Sequence, residues 1–284
     1  MSEPKVSNTE HQSNDEGCVI KVARKKREKR EKPVLLDKIG KKDLQAGVDE
    51  VARGCLFGPV YAAAVILNPN EPLHEWLNDS KKVTKKRRAV VRQWIEKTAV
   101  AWAVASVQND VIDEINIRNA AMKAMNVAID NLTTRPNFLL IDGDYFEAQE
   151  SISDIPFVTI VQGDAKYANI AAASILAKEH HDQFIREMIS KDPDLHIQYD
   201  VGNNVGYGTK RHIEGLKTHG ASIHHRKSFL KRILPKTNTA LKLLFEDSDE
   251  EDDEVENDEA NEETVYDEAV QNDVSMEASH VEHI

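Results

Sequence analysis

The chain is short of several things, and each shortage removes a class of protein. It has no apolar run of the roughly 18 residues that a membrane span needs, and its first residues lack a signal-peptide pattern. A soluble protein of the cytoplasm, with no membrane partner, is therefore expected. Cysteine is scarce: Cys18 and Cys55 are the two present, and Cys18 lies in a polar stretch, which argues against a structural disulfide. The 11 His are scattered apart from His180-His181 and His224-His225, so a His- or Cys-built zinc site is not expected. No Ser/His/Asp or Cys/His set stands out for nucleophilic catalysis. Basic residues are missing from one end altogether. Between Glu246 and Ile284 lie 18 acidic residues and no Lys or Arg. The formal charge of −12 comes from 37 basic and 49 acidic residues; without that end 31 acids remain, about +6, which suits an anionic ligand.

Three segments follow from composition. Residues 1–42 are polar and then basic, with Lys21, Arg24, Lys25, Lys26, Arg27, Lys29, Arg30 and Lys32 close together. Such an arm is expected to be disordered, to touch phosphates without specificity, or to act as a nuclear address in a eukaryote. Residues 246–284 bury too little apolar surface to order themselves. Residues 43–245 carry the α/β pattern of one folded domain. Within it, strands are expected over Gln45 to Val51 and Val60 to Leu67, an antiparallel pair with Gly58-Pro59 between them. Further strands are expected over Val100 to Val107, Phe138 to Ile141 and Pro156 to Val161. Helices are expected over Lys85 to Thr98 and Ile117 to Leu132, and another opens with Ile170 to Lys178.

What the chain does have is acids at strand ends. Asp49 and Glu50 sit in Gly47-Val48-Asp49-Glu50-Val51-Ala52-Arg53-Gly54, Asp142 follows Leu139-Leu140-Ile141, and Asp164 lies in Gly163-Asp164-Ala165-Lys166. Strand ends fix backbone direction, so side chains from several strands can converge there. Two unit charges ~4 Å apart cost about 4 kcal/mol at an effective dielectric of ~20, so a cluster of acids must protonate, find bases or bind cations. An all-oxygen set suits Mg²⁺ or Mn²⁺. Two such ions can flank an in-line phosphodiester displacement. One difficulty is geometric: neighbours on a regular strand face opposite ways, so Asp49 and Glu50 share a site only if the strand ends, bulges or twists there.

These residues resemble the ribonuclease HII (type 2 ribonuclease H) family over roughly residues 43–233. The motifs come in the family's order. They are the Gly47 to Gly54 run with Gly58-Pro59; Asp79-Ser80-Lys81-Lys82; Ile141-Asp142-Gly143; Gly163-Asp164-Ala165-Lys166; Ala171 to Lys178; Gly206-Tyr207-Gly208-Thr209; and His225-Arg226-Lys227-Ser228-Phe229. The resemblance implies an RNase H-like mixed five-stranded sheet flanked by helices, with a helical C-terminal extension. It implies a monomeric endonuclease that cleaves RNA in RNA–DNA hybrids and incises 5′ of single ribonucleotides in duplex DNA, leaving 5′-phosphate and 3′-hydroxyl ends. Asp49, Glu50, Asp142 and Asp164 would be its catalytic, metal-holding acids, with two Mn²⁺ or Mg²⁺ ions. Ala52, Arg53, Gly54 and Tyr207 would read the RNA-to-DNA junction, and Lys81, Lys82, Lys166 and Arg226 would meet phosphates. Ala52 stands where relatives carry Gly, so a positive φ there would strain the loop. Val205 stands where relatives usually carry Lys. The sister ribonuclease HIII carries a folded N-terminal domain, for which 42 polar and basic residues are too few. A non-catalytic nucleic-acid-binding or chaperone-like module remains as the alternative; it gains nothing from acids facing phosphates.

Overall fold

A computed structural model describes residues 35–40 and 44–234. The basic run Lys21 to Lys32 and the acidic end lie outside the described residues, whereas Leu35 and Leu36, within the expected arm, pack on the fold, Leu36 bridging Tyr167. Five strands form one sheet: β1 (Gln45–Val51), β2 (Val60–Ile66), β3 (Ala101–Val107), β4 (Phe138–Asp142) and β5 (Phe157–Ile160). Their order across the sheet is β3-β2-β1-β4-β5. β1 pairs antiparallel with β2 and β2 with β3, whereas β1–β4 and β4–β5 are parallel. The expected mixed five-stranded sheet is present.

Helices cover both faces. α1 (Lys85–Thr98) and α3 (Ala168–Lys191) lie on one, and α2 (Asn109–Asp130) on the other. Side-chain alternation separates two apolar clusters. Ala46, Val48 and Ile141 pack with α2, while Ala63, Val65 and the alanines of α3 pack on the opposite face. The small residues of α3 let it approach very closely. A Cβ added to Gly47 would lie 2.1 Å from the backbone carbon of Asn169, so no other residue fits there. Four short helices, α4 (Asp194–Tyr199), α5 (Val201–Asn204), α6 (Lys210–His219) and α7 (Lys227–Leu230), make the C-terminal extension. No helix among the described residues is long and apolar enough to cross a membrane.

Element positions agree closely with the sequence pattern, with one instructive difference. α2 begins at Asn109, eight residues before the expected Ile117, yet Asn116 inside it has φ 64 and ψ 165. Its side-chain oxygen accepts the N–H of Asn119 at 3.0 Å, as a helix cap does. The apolar periodicity therefore restarts at Ile117 because the helix itself does.

Candidate active site

β1 and β4 run parallel at the centre of the sheet, so their carboxyl ends open on the same side. Their register pairs Val48 with Ile141 and stops there. One step further in that register sets Asp49 beside Asp142, on strands roughly 4.8 Å apart. Both side chains belong to the α3 face: Asp49 follows Gly47 by two residues, Asp142 follows Leu140, and Gly47 pairs with Leu140. Glu50 points to the other face at the strand's last turn of pleat, where pairing with β4 has ceased. Its Oε1 lies 3.3 Å from the Arg53 guanidinium. Asp164 comes from the 3-10 turn Gly163–Ala165 that follows β5. That turn is tied to β4, because Asp142 Oδ1 accepts the Gly163 N–H at 2.6 Å and the Asp164 N–H at 3.4 Å.

The four carboxyls lie in one another's field. Burial lifts Asp49 well above the usual carboxylate range, and Glu50, Asp142 and Asp164 push it further; the Ser174 hydroxyl opposes them. Asp49 is 5 % exposed and has no Lys or Arg partner among the described residues. Glu50 is also raised by burial, with Arg53 acting against the rise and Asp142 adding to it. Asp142 is raised by burial despite its two N–H donors and the positive field of Lys81. Asp164 is pushed up to about 6 by burial, then by Asp79 and Asp142.

Two contributors were not anticipated. Asp79 is buried, lies in the field of Asp164 and is paired with Lys82 Nζ at 3.3 Å. Ser174 is close enough to Asp49 for its hydroxyl to oppose the rise in that carboxyl's pKa, and it lies 2.9 Å from the Ser80 hydroxyl, which links α3 to the Asp79-Ser80 turn. The available signals were an acid opening Ser-Lys-Lys and one hydroxyl inside an alanine run.

Among the described residues no three His, Cys, Asp or Glu side chains are gathered as a ready cage for an ion. Like charges without a counter-ion spread apart, and each of three acids lends an oxygen elsewhere. Asp49 Oδ1 accepts the Glu50 N–H at 2.7 Å, Glu50 Oε1 meets Arg53, and Asp142 Oδ1 meets Gly163. A buried aspartate lacking a base, inside an all-oxygen set, fits a hard divalent cation better than any internal partner.

The expected junction residues also meet. Arg53 and Gly54 are exposed, and a Cβ on Gly54 would sit 3.8 Å from the Tyr207 ring. Cys55 and Tyr207 form an antiparallel bridge, and Tyr207 is 39 % exposed, with the Lys178 ammonium 5.9 Å from its ring centre. Ala52 has φ 72, so the methyl group does strain this loop. Val205 also takes a left-handed φ of 46, just before Gly206 at φ 94. Of the phosphate candidates, Lys81 faces the acids, Lys82 is held by Asp79, and Lys166 Nζ bonds the Val161 carbonyl at 2.7 Å. Arg226 needs correction. It is fully buried, and it donates to the carbonyls of Gly58 at 2.9 Å and Arg53 at 2.8 Å. Its place is behind the loop, where no phosphate reaches it. The motif signalled an important Arg without showing which way it points.

The sheet order and the flanking helices define a protein of the RNase H-like fold class, with acids gathered at the central carboxyl ends of its sheet. Solved structures agree on the fold: ribonuclease H2 from Pyrococcus horikoshii is 22% identical with a TM-score of 0.54, covering 72% of this chain and 97% of that one. The ribonuclease HII in a PCNA complex from Archaeoglobus fulgidus is 24% identical with a TM-score of 0.55, covering 69% and 98%. The Ribonuclease HII family profile matches residues 46–238. The Ribonuclease HII of Bacteroides thetaiotaomicron is 47% identical over 196 residues, covering 69% of this chain and 94% of the relative. That of Cytophaga hutchinsonii is 48% identical over 187 residues, covering 66% and 89%. The chain belongs to the ribonuclease HII family, and it is an endonuclease of the ribonuclease H kind.

Proposed function

We propose that this protein cuts the RNA strand of RNA–DNA hybrids and incises 5′ of a single ribonucleotide within duplex DNA, leaving 5′-phosphate and 3′-hydroxyl ends. The observation that carries the reading is Asp49: a buried carboxylate in register with Asp142, in the field of two further acids, with no base to neutralise it. Asp49, Glu50, Asp142 and Asp164 would hold two Mg²⁺ or Mn²⁺ ions. Bound there, divalent cations supply the charge that activates water and stabilises a leaving 3′ oxygen.

The chain's own groups do the rest. Asp142 and Asp49 are fixed by strand register and need no loop movement to be aligned. The Ser80–Ser174 hydroxyl contact ties the Asp79-Ser80 turn to α3 beside these acids. Lys81 brings a positive charge to the same mouth and attracts the phosphate. Backbone groups of Ala52, Arg53 and Gly54 would approach the 2′-hydroxyl, the one group that marks RNA. The Tyr207 ring, beside Gly54, would pack on the sugar of the deoxy side. Contacts to sugar and phosphate carry no base code, so sequence preference should be slight. A monomer working in the cytoplasm is part of this reading.

The test is cleavage of three substrates with Mn²⁺ or Mg²⁺: a DNA duplex with one ribonucleotide, an RNA–DNA hybrid, and an all-DNA duplex. Cutting of the first two and sparing of the third is expected. A protein that binds all three and cuts none would favour the non-catalytic module instead.

A further inference from the structure

His212 and His225 are fully buried, and the proposed chemistry makes no use of them. Buried polar groups are retained where each finds a partner. Here the two imidazoles meet each other, Nε2 of one lying 3.0 Å from Nε2 of the other. Two ring nitrogens face to face share one proton, and the outer nitrogens decide which ring carries it. Nδ1 of His225 accepts the Ser222 backbone N–H at 3.0 Å, and the Ser222 hydroxyl lies 2.8 Å from it. A backbone N–H can only donate, so this Nδ1 is bare and the His225 proton sits on Nε2. Nδ1 of His212 lies 2.9 Å from the Tyr207 carbonyl, which can only accept. That Nδ1 therefore carries the His212 proton and its Nε2 is bare. The two ends agree in the middle: His225 donates and His212 accepts.

The same geometry excludes charge. A second proton on His225 would face the Ser222 N–H, and a second proton on His212 would face the His225 N–H. Burial acts in the same direction, holding His225 down to about 3 and lowering His212. The Tyr199 ring, 4.7 Å away, and the Phe57 ring, 5.1 Å away, pack edge-on against His225 and keep it from turning.

This chain ends where the junction wall begins. Tyr207 follows Val205 and Gly206, both at positive φ, in a turn that a branched side chain does not favour by itself. On the other side, His225 is followed by Arg226, whose guanidinium donates to the Arg53 carbonyl at 2.8 Å. Adjacent residues thus fasten the two halves of the wall: the Arg53-Gly54 backbone through Arg226, and Tyr207 through His225 and His212. The gap between the halves is narrow, since a Cβ on Gly54 would lie 3.8 Å from the Tyr207 ring.

We propose that His212 and His225 are positioning residues for discrimination of the RNA-to-DNA junction, their one-way hydrogen-bond chain holding Tyr207 against the Gly54 backbone. The inference rests on the junction role of Tyr207 and extends it to two side chains that touch no substrate.

The experiment uses two substitutions that remove the same ring. His212→Asn sets an amide N–H near the place of Nδ1 and so keeps a donor for the Tyr207 carbonyl. His212→Gln sets its amide near the place of Nε2, which keeps a partner for His225 and none for Tyr207. Both variants should melt below wild type. With Mn²⁺, kcat and KM are measured on a DNA duplex holding one ribonucleotide and on an RNA–DNA hybrid. His212→Gln should lose kcat on the single ribonucleotide about tenfold, with KM and hybrid cleavage changed by less than about threefold, as for misplacement without a lost contact. His212→Asn should keep the wild-type ratio between the two substrates. Equal ratios in the two variants overturn the proposal, whatever their stability. Should neither variant fold, nitrogen NMR shifts of the wild-type histidines decide. A proton on Nδ1 of His212 and on Nε2 of His225 is expected at neutral pH; other tautomers, or an imidazolium, overturn the chain. Wild type that cuts neither substrate sinks the nuclease reading and the junction role with it. Wild type that cuts, while the Asn and Gln variants behave alike, sinks the positioning role alone.

Discussion

The two walls of the candidate active site are built on opposite principles. On the acid side, Asp49, Glu50, Asp142 and Asp164 raise one another's pKa, and Asp49 has no base beside it. On the junction side, the loop from Ala52 to Gly58 is tied at several backbone positions, although one nitrogen of the Arg226 guanidinium behind it is buried without a partner. Leu56 exchanges backbone bonds with Gly206 and Arg226, Gly58 bonds His224, and the Arg226 guanidinium clamps the carbonyls of Arg53 and Gly58. Behind it, His212 bonds the Tyr207 carbonyl at 2.9 Å and meets His225 at 3.0 Å; burial holds His225 down to about 3, so this pair stays neutral. One wall gathers acids that repel one another, and the other is held by backbone bonds and a buried guanidinium. In the function proposed above, the first would take up a divalent cation and the second would hold a shape.

The largest effect should come from relieving the repulsion in the acid wall. Asp142→Asn keeps the shape, the Gly163 N–H bond and the strand register while removing one charge. Activity should fall by on the order of 10³-fold or more, as for loss of a principal electrostatic group in a water-poor site. Without metal the same variant should be more stable by about 1 kcal/mol, because a repelling charge has gone. A variant as active as wild type would falsify the metal assignment.

The opposite result is expected across the site. Arg226→Met should lower stability by about 3 kcal/mol, since two buried carbonyls lose a charged donor. Urea unfolding measures it, and a loss below about 1 kcal/mol would mean that the clamp is dispensable. Catalysis of the surviving folded fraction should lose discrimination for a lone ribonucleotide before it loses rate on RNA–DNA hybrid.

A pH series separates the walls without mutation of either loop. Asp164 sits at about 6 in the fold against 3.8 as its ordinary value. A raised carboxyl favours the folded state while protonated, so that contribution is full below about 4 and is lost as pH rises through 6. Wild type minus Asp164→Asn isolates it; with solvent screening the difference should be about 1–2 kcal/mol. Saturating Mn²⁺ at pH 7 to 8 should reverse the loss in wild type alone. A metal-free protein whose stability climbs between pH 4 and 7 relative to Asp164→Asn contradicts the unpaired-acid picture.

The acid wall was largely legible in the sequence and the junction wall was not. Asp49 and Asp142 close short apolar runs that announce strands, and Asp164 lies three residues past another such run. Glu50 was the open question: β1 is still paired with β2 at Glu50, so its side chain starts on the far face, and it reaches the field of Asp49 and Asp142 from the edge where β4 has ended. Asp79 and Ser174 escaped because their contacts are long-range and no local pattern encodes them. The burial of Arg226 escaped for a different reason. An Arg between His and Lys reads as surface charge, and only the close approach of the Phe57 and His225 backbones turns it inward.

The smallest effect tests how firmly the junction wall is set. Ala52 carries φ 72 and is 2 % exposed. A left-handed alanine costs about 1–2 kcal/mol. Replacing it by Gly removes that strain, but loses a buried methyl worth about 0.8 kcal/mol and adds backbone freedom worth about 0.5–1. The terms nearly cancel, so Ala52→Gly should shift stability by less than about 1 kcal/mol. The loop should also keep its discrimination, because the Cys55 N–H to Ala52 carbonyl bond and the Arg226 clamp do not involve the methyl group. Ala52→Val is the sharper partner: branching at Cβ makes the left-handed form far less tolerable, and about 2 kcal/mol or more should be lost. If Gly instead loosens selectivity for a single ribonucleotide while Val leaves stability intact, the shape of this wall is held by the methyl contact and not by the buried guanidinium.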